Sequence, residues 1–174
     1  MEILILAVVT LPLLTALFLK VASKFLNELL TNFITINAAL LSVAVSFFMF
    51  VYLLLDKFEP IKFELFEWYP SPQIIFEFYL DGLSGVMMIL ISGLSLVIQL
   101  FSTSYMSKDE KYTKYFEYFN FFVFSMLLLV LSGNFLVMFF GWELVGLSSY
   151  LLISFWYEKN SAAKAGNKAF ILNR

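Results

Sequence analysis

Neither cysteine nor histidine occurs among the 174 residues. Disulfides, thiolate clusters, haem axial imidazoles and histidine-bound metals are therefore excluded within this chain, and any redox chemistry it serves must take place elsewhere. Charge is scarce too, since 14% of the residues are Asp, Glu, Lys or Arg, against about 25% in a soluble domain. The net charge of −2 and pI near 5.1, with no basic patch, leave no footprint for a nucleic-acid partner. The opening MEILILAVVTLPLLTALFLK has no basic segment before its apolar run and no small-residue cleavage site. It reads as a retained first helix, not a signal peptide.

What is abundant is apolar surface: 61% of the residues are hydrophobic, 22 of them are Phe, and the mean hydropathy is +0.89. A soluble domain could not hide so many aromatic rings without exposing large apolar patches. The solvent for most of this chain is lipid. A membrane helix needs about 20 apolar residues, and five runs qualify, at 3–19, 32–55, 83–105, 115–132 and 135–157. Pro12 lies in the first, where a membrane helix tolerates it with a kink.

Between the second and third runs the pattern changes. Ile61, Phe63 and Leu65 alternate with Lys62 and Glu64, the turn-forming Tyr69-Pro70-Ser71-Pro72 follows, and then Phe76-Glu77-Phe78. This predicts a β-hairpin, with Trp68 and Tyr69 suited to headgroup level. The expected fold is an all-α polytopic membrane protein of five transmembrane helices plus the start of a sixth, with a hairpin between helices two and three. Its parts are 1–55 (helices one and two), 56–80 (extramembrane hairpin), 81–157 (helices three to five) and 158–174 (a loop and the start of helix six). Ser161 to Arg174 would reach about 21 Å, short of the roughly 30 Å hydrocarbon core. A separate chain is expected to complete that helix.

Lys20 and Lys24, then Lys108, Lys111 and Lys114, then Lys159, Lys164 and Lys168 fall between or after runs that place them on one side, whereas Ser132-Gly133-Asn134 carries no charge. The positive-inside rule makes the lysine side cytoplasmic, or matrix in a mitochondrion, with the N-terminus outward.

Glu143 is the single charged side chain between Tyr118 and Tyr157. An acid at the centre of a membrane helix costs several kcal/mol, about 2.5–3.5 for Asp on insertion scales, and this one lies roughly 12 Å along its span, beyond snorkelling reach. Gly146, Leu147, Tyr150 and Ser154 share its helical face, with Ser149 nearby, so another helix can approach closely there. Desolvation raises a carboxylate's pKa and a neighbouring cation lowers it, which is the physics of a proton relay. The bland alternative is a protonated acid pinning two helices. Asp81 fits a helix cap, Gln99 an interhelical hydrogen bond, and Lys164 and Lys168 interfacial anchors, although Lys168 could lie deep enough to join a proton path.

The stretch GWELVGLSSYLLISFWY followed by AAKAGNKAFILNR resembles chain 5 of proton-pumping NADH:quinone oxidoreductase, respiratory complex I. The likeness begins at Leu80-Asp81-Gly82-Leu83-Ser84, runs through Ser104-Tyr105-Met106 and Tyr115-Phe116, and ends at Asn173-Arg174. It implies an antiporter-like membrane-arm subunit that moves protons while NADH, FMN, iron–sulfur clusters and ubiquinone are handled by partner subunits. It also implies that Glu143 is the acid of the fifth helix, paired with a lysine of a later helix, with Lys168 and Arg174 as relay or structural support, to which the shared helical face adds Tyr150. The relay lysines that follow in the family are not in this sequence, so the resemblance implies a partner chain carrying them. The expected partners are the other membrane-arm subunits and lipid. A composition rich in Phe, Ile, Leu, Tyr, Asn and Lys fits an AT-rich genome, mitochondrial, bacterial or plastid, and so a mitochondrial inner membrane with the N-terminus facing the intermembrane space, or a bacterial plasma membrane. The rival readings are a large subunit of a multisubunit Na+/H+ antiporter and a non-transporting membrane scaffold.

Overall fold

The computed structural model describes residues 1–70 and 73–173. The chain runs α1 (Glu2–Ala22), α2 (Glu28–Leu55), β1 (Ile61–Pro70), β2 (Gln73–Leu80), α3 (Gly82–Tyr105), α4 (Tyr112–Val130), α5 (Phe135–Ile153) and α6 (Asn160–Leu172). Ser71 and Pro72 of the expected turn, Arg174, and the side chains of Trp68 and Tyr69 lie outside the described residues.

By length and composition α1, α2, α3 and α5 can each cross a membrane. The fifth expected span, α4, matches α5 in length at 19 residues, but Lys114, Glu117 and Asn120 in its first half dilute its apolarity. It nonetheless holds the centre of the bundle, packed against both α1 and α5, with Phe116, Phe119, Val123 and Leu127 buried. α1 continues unbroken through Pro12, as membrane helices allow.

In lipid, apolar side chains gain little by leaving the solvent, so helices associate through close packing and hydrogen bonds. The α2–α3 pair shows this. Thr35, Ala39, Ser42 and Ser46 recur at three- and four-residue spacing on α2, and Gly85, Ser92 and Ser95 are buried on α3. A Cβ at Gly85 would stand 3.0 Å from Leu53 Cδ1 and 3.2 Å from Phe50 Cδ2. Gln99 is buried on the same α3 face, but its Oε1 accepts no hydrogen bond from any described residue.

Two left-handed residues, Lys57 (φ 53°) and Phe58 (φ 62°), end α2, with the Phe58 amide donating to the Leu53 carbonyl at 2.8 Å. The hairpin that follows is antiparallel and carries two irregularities, between Glu64 and Phe66 and between Glu67 and Tyr69. The first reverses side-chain parity. Phe66, not Leu65, pairs with Phe76 and stacks on it at 5.4 Å, and Leu65 is exposed.

Asp81 caps α3 as expected. Its carboxylate accepts from the Ser84 amide at 2.8 Å while Ser84 Oγ accepts from the Asp81 amide at 2.7 Å. The Ser84 backbone bond holds the Asp81 carboxyl below its ordinary value of 3.8. A depressed folded value means that the cap contributes fully above the unfolded pKa and is lost as pH falls through the folded one. Asp81→Ala is therefore expected to cost about 1 kcal/mol near neutral pH. In thermal unfolding of the detergent-solubilised protein, the gap between variant and wild type should shrink at strongly acid pH.

At the opposite end, the lysine-bearing connections meet. Lys111 Nζ pairs with Glu158 at 2.6 Å, Trp156 Nε1 donates to Asp109 at 2.9 Å, and Thr31 and Thr113 share a hydroxyl bond at 3.1 Å. Glu158 keeps the Lys111 ammonium above its usual pKa, although a pair this exposed adds little stability.

Candidate functional site

α5 starts on a fastening to the hairpin. Asn134 Oδ1 accepts from the Leu136 and Val137 amides at 3.1 and 3.0 Å, and its Nδ2 donates to the Ile75 carbonyl at 2.7 Å. Flanking backbone bonds run from Tyr79 N to Leu131 O at 2.8 Å and from Gly133 N to Glu77 O at 2.9 Å. One side chain thus caps the helix and ties it to β2. Asn134→Asp keeps the capping acceptor and loses the donor, so it should destabilise by about 0.5–1.5 kcal/mol. Asn134→Ala loses both and should cost about 2 kcal/mol. The order wild type, Asp, Ala in thermal stability of the solubilised protein checks this.

Seven residues on, α5 meets α4 almost backbone to backbone, because a Cβ at Gly141 would stand 2.6 Å from Leu129 Cα and 2.7 Å from Leu129 N. Glu143 follows, nine residues from the cap and so about 13 Å along the helix. It is partly exposed within this chain, as befits a side chain on the flank where α6 arrives.

After the turn at 154–159, α6 runs back along α5 on its small and polar side. Gly166 lies against Ser154, where a Cβ would be 2.7 Å from the serine Cβ. The Tyr150 and Phe170 rings meet at 5.5 Å. Near Glu143, Trp142 Nε1 donates to the Asn173 carbonyl at 3.2 Å, and Asn173 Nδ2 is 2.9 Å from where a Gly146 Cβ would be. A cleft of about 350 Å³ remains between the helices, lined by Val145, Gly146, Ser149, Ala169, Leu172 and Asn173.

This register places the sequence candidates. Gly146, Tyr150 and Ser154 do face a helix, whereas Leu147 is exposed. α6 touches α5 through Gly166, Phe170 and Asn173, so Lys168, two residues from both Gly166 and Phe170, is turned outward and is exposed. The antiparallel pairing puts Lys168 level with about residue 152, roughly 13 Å along the axis from Glu143. The structure does not bring these two together. Lys164 is exposed as well.

Two polar residues escaped the sequence reading. Asn173 sits a turn from Glu143, and nothing in its local sequence separates it from a helix C-cap. Glu117 lies in a cleft with Lys20 and Lys114, and its place beside the five other charged residues of α4 and the preceding loop made it look like an ordinary interfacial acid.

Two family models match the chain. One, described as NADH-Ubiquinone oxidoreductase (complex I), chain 5 N-terminus, matches residues 68–116. The other, described as NADH:quinone oxidoreductase/Mrp antiporter, TM, matches residues 132–174 and so takes in α5 and α6. The NADH-quinone oxidoreductase subunit L of Buchnera aphidicola is 36% identical over 169 residues, covering 96% of this chain and 28% of that protein. The chain belongs to the family of antiporter-like subunits of complex I. The NADH-ubiquinone oxidoreductase chain 5 of Acanthamoeba castellanii is 37% identical over 165 residues, with 94% of this chain and 24% of that protein covered. The chain thus spans about a quarter of the length of these complex I relatives. Among solved structures, a chain of the membrane-bound sulfane sulfur reductase, an archaeal respiratory membrane complex, superposes with a TM-score of 0.84 over 99% of this chain and 34% of that one. At 21% identity this likeness concerns the fold.

Proposed function

We propose that this chain is the N-terminal part of an antiporter-like subunit that moves protons through the membrane arm of an NADH:quinone oxidoreductase. The observation that carries this reading is Glu143, a lone acid about 13 Å inside α5, at the margin of the flank that α6 packs against. An ionisable group at that depth is costly and marks an ion or proton path. Lys168 is turned away from Glu143, so in this reading the proton path continues into the remainder of the subunit, on this or another polypeptide. Tyr150 supports the α5–α6 contact, and Lys168, turned away from α5, is offered to helices beyond α6.

Without cysteine or histidine, these residues do not fit a flavin-linked cluster or haem as ligands. NADH, FMN, the iron–sulfur clusters and ubiquinone belong to partner subunits in this reading, and the chain contributes the proton step. The membrane is an energy-converting one, mitochondrial inner or bacterial plasma, with the lysine end toward the matrix or cytoplasm.

The Na+/H+ antiporter reading draws on the second family description, which covers both kinds of protein. Composition of the native assembly separates the two. Gentle detergent extraction and mass spectrometry of everything that accompanies the chain should recover flavin and iron–sulfur subunits. Recovery with antiporter subunits alone would replace the proposal with the rival, and recovery as a lone oligomer would leave the scaffold reading.

A further inference from the structure

A second polar constellation lies away from Glu143, at the lysine end, in a cleft of about 630 Å³ between α1, α4 and α5. Its rim carries Lys20 from the last turn of α1 and Lys114 and Glu117 from the first turns of α4. Its walls are Leu13, Leu17, Phe121 and Leu151. Leu13 is seven residues below Lys20, and Phe121 seven beyond Lys114 on a helix running the other way. Both walls therefore descend about 10 Å from the charged rim toward the membrane centre. The cleft has the polarity profile of a single amphiphile.

The rim chemistry narrows the choice. Glu117 lies within electrostatic reach of both Lys20 and Lys114, yet neither ammonium closes on it, since the ion pair formed among the described residues is Lys111–Glu158. Lys114 Nζ instead lies 5.6 Å from the Tyr118 ring centre. Two ammonium groups flanking a carboxylate complement a group in which a phosphate stands beside a cation. A phosphate accepts charge-assisted hydrogen bonds from lysines, and a ligand ammonium donates to the carboxylate. A purely anionic headgroup would meet Glu117 as a like charge, and a trimethylated one has no N–H to donate.

We infer that this cleft seats a zwitterionic phospholipid with a primary ammonium headgroup. Its phosphate lies between Lys20 and Lys114, its ammonium against Glu117, and one acyl chain along the Leu13–Phe121 wall. This does not depend on Glu143 or on which complex the chain serves.

The test uses the native assembly containing this chain, equilibrated in bilayers of equal parts phosphatidylethanolamine, phosphatidylcholine and phosphatidylglycerol. Retained lipids are counted after extraction in mild detergent. Phosphatidylethanolamine should be enriched several-fold over phosphatidylcholine in wild type. Glu117→Gln should turn the preference toward phosphatidylglycerol, combined Lys20→Gln and Lys114→Gln should abolish enrichment, and Lys24→Gln, just after the end of α1 but off the cleft, should change nothing. Equal retention in wild type, or phosphatidylglycerol ahead of phosphatidylethanolamine, overturns the inference. So does a photo-crosslinker at Leu17 that captures protein instead of lipid. If the Glu117 variant fails to assemble, the wild-type preference for the primary over the trimethylated headgroup decides alone.

Discussion

Glu143→Gln is expected to leave the assembly intact and to cut proton flow through this subunit's path by about 100-fold or more, the scale of a lost acid–base group. Gln keeps the length and hydrogen-bonding capacity of the acid but cannot release a proton. NADH oxidation should then proceed with fewer protons moved per electron. Glu143→Asp retains the titratable group about one methylene short and should keep a reduced flow. Glu143→Ala removes both proton and hydrogen-bonding atoms. A Gln variant that pumps normally beside an Ala variant that fails to assemble would make Glu143 a structural acid and end the relay reading. The readout is the proton-to-electron ratio in reconstituted vesicles.

Gly141→Ala should destabilise the bundle. The new Cβ would lie 2.6 Å from Leu129 Cα and 2.7 Å from Leu129 N. These are backbone atoms inside α4, which cannot swing aside as a side-chain end can, so the two helices must separate. Overpacking of this kind costs about 1–3 kcal/mol, and the roughly 1 kcal/mol that Ala gains over Gly in a helix offsets only part of it. Gly93 supplies the control, because nothing lies within 4 Å of its would-be Cβ. Gly93→Ala should be neutral or stabilise by about 0.5–1 kcal/mol. Thermal unfolding of the solubilised protein should order the three as Gly93→Ala, wild type, Gly141→Ala. Equal midpoints for wild type and Gly141→Ala would show that α4 and α5 are not held at this spacing.

The bundle was readable from sequence where the signal is local. Hydropathy located the helices to within a few residues, and the cap at Asp81 followed from the residue's place before Gly82. The alternation Ile61-Lys62-Phe63-Glu64 announced the hairpin, but not the bulge that puts Phe66 opposite Phe76, since such a slip is decided by cross-strand packing. Glu143 stood out because the residues around it are uniformly apolar. The direction of Lys168 did not, because it depends on which face of α6 meets α5, and that is fixed by Gly166 on Ser154, twelve residues apart in sequence. The approach of Gly141 to Leu129 and the clustering of Lys20, Lys114 and Glu117 are likewise products of chain reversals that no local pattern encodes.

The bond from Asn134 to Ile75 joins residues 59 apart, and this separation has a consequence for the order of manufacture. Ile75 leaves the ribosome well before Asn134, so the hairpin can be finished before α5 exists, and the α4–α5 connection arrives at a completed strand edge. Closing so long a loop is slower than forming either element. Until it closes, β2 is an open edge available to any other strand. A foreign strand that paired there first would block the fastening of Asn134 and leave Glu143 at the wrong depth. Timing during synthesis, and not composition alone, then bears on whether α5 is fastened in register.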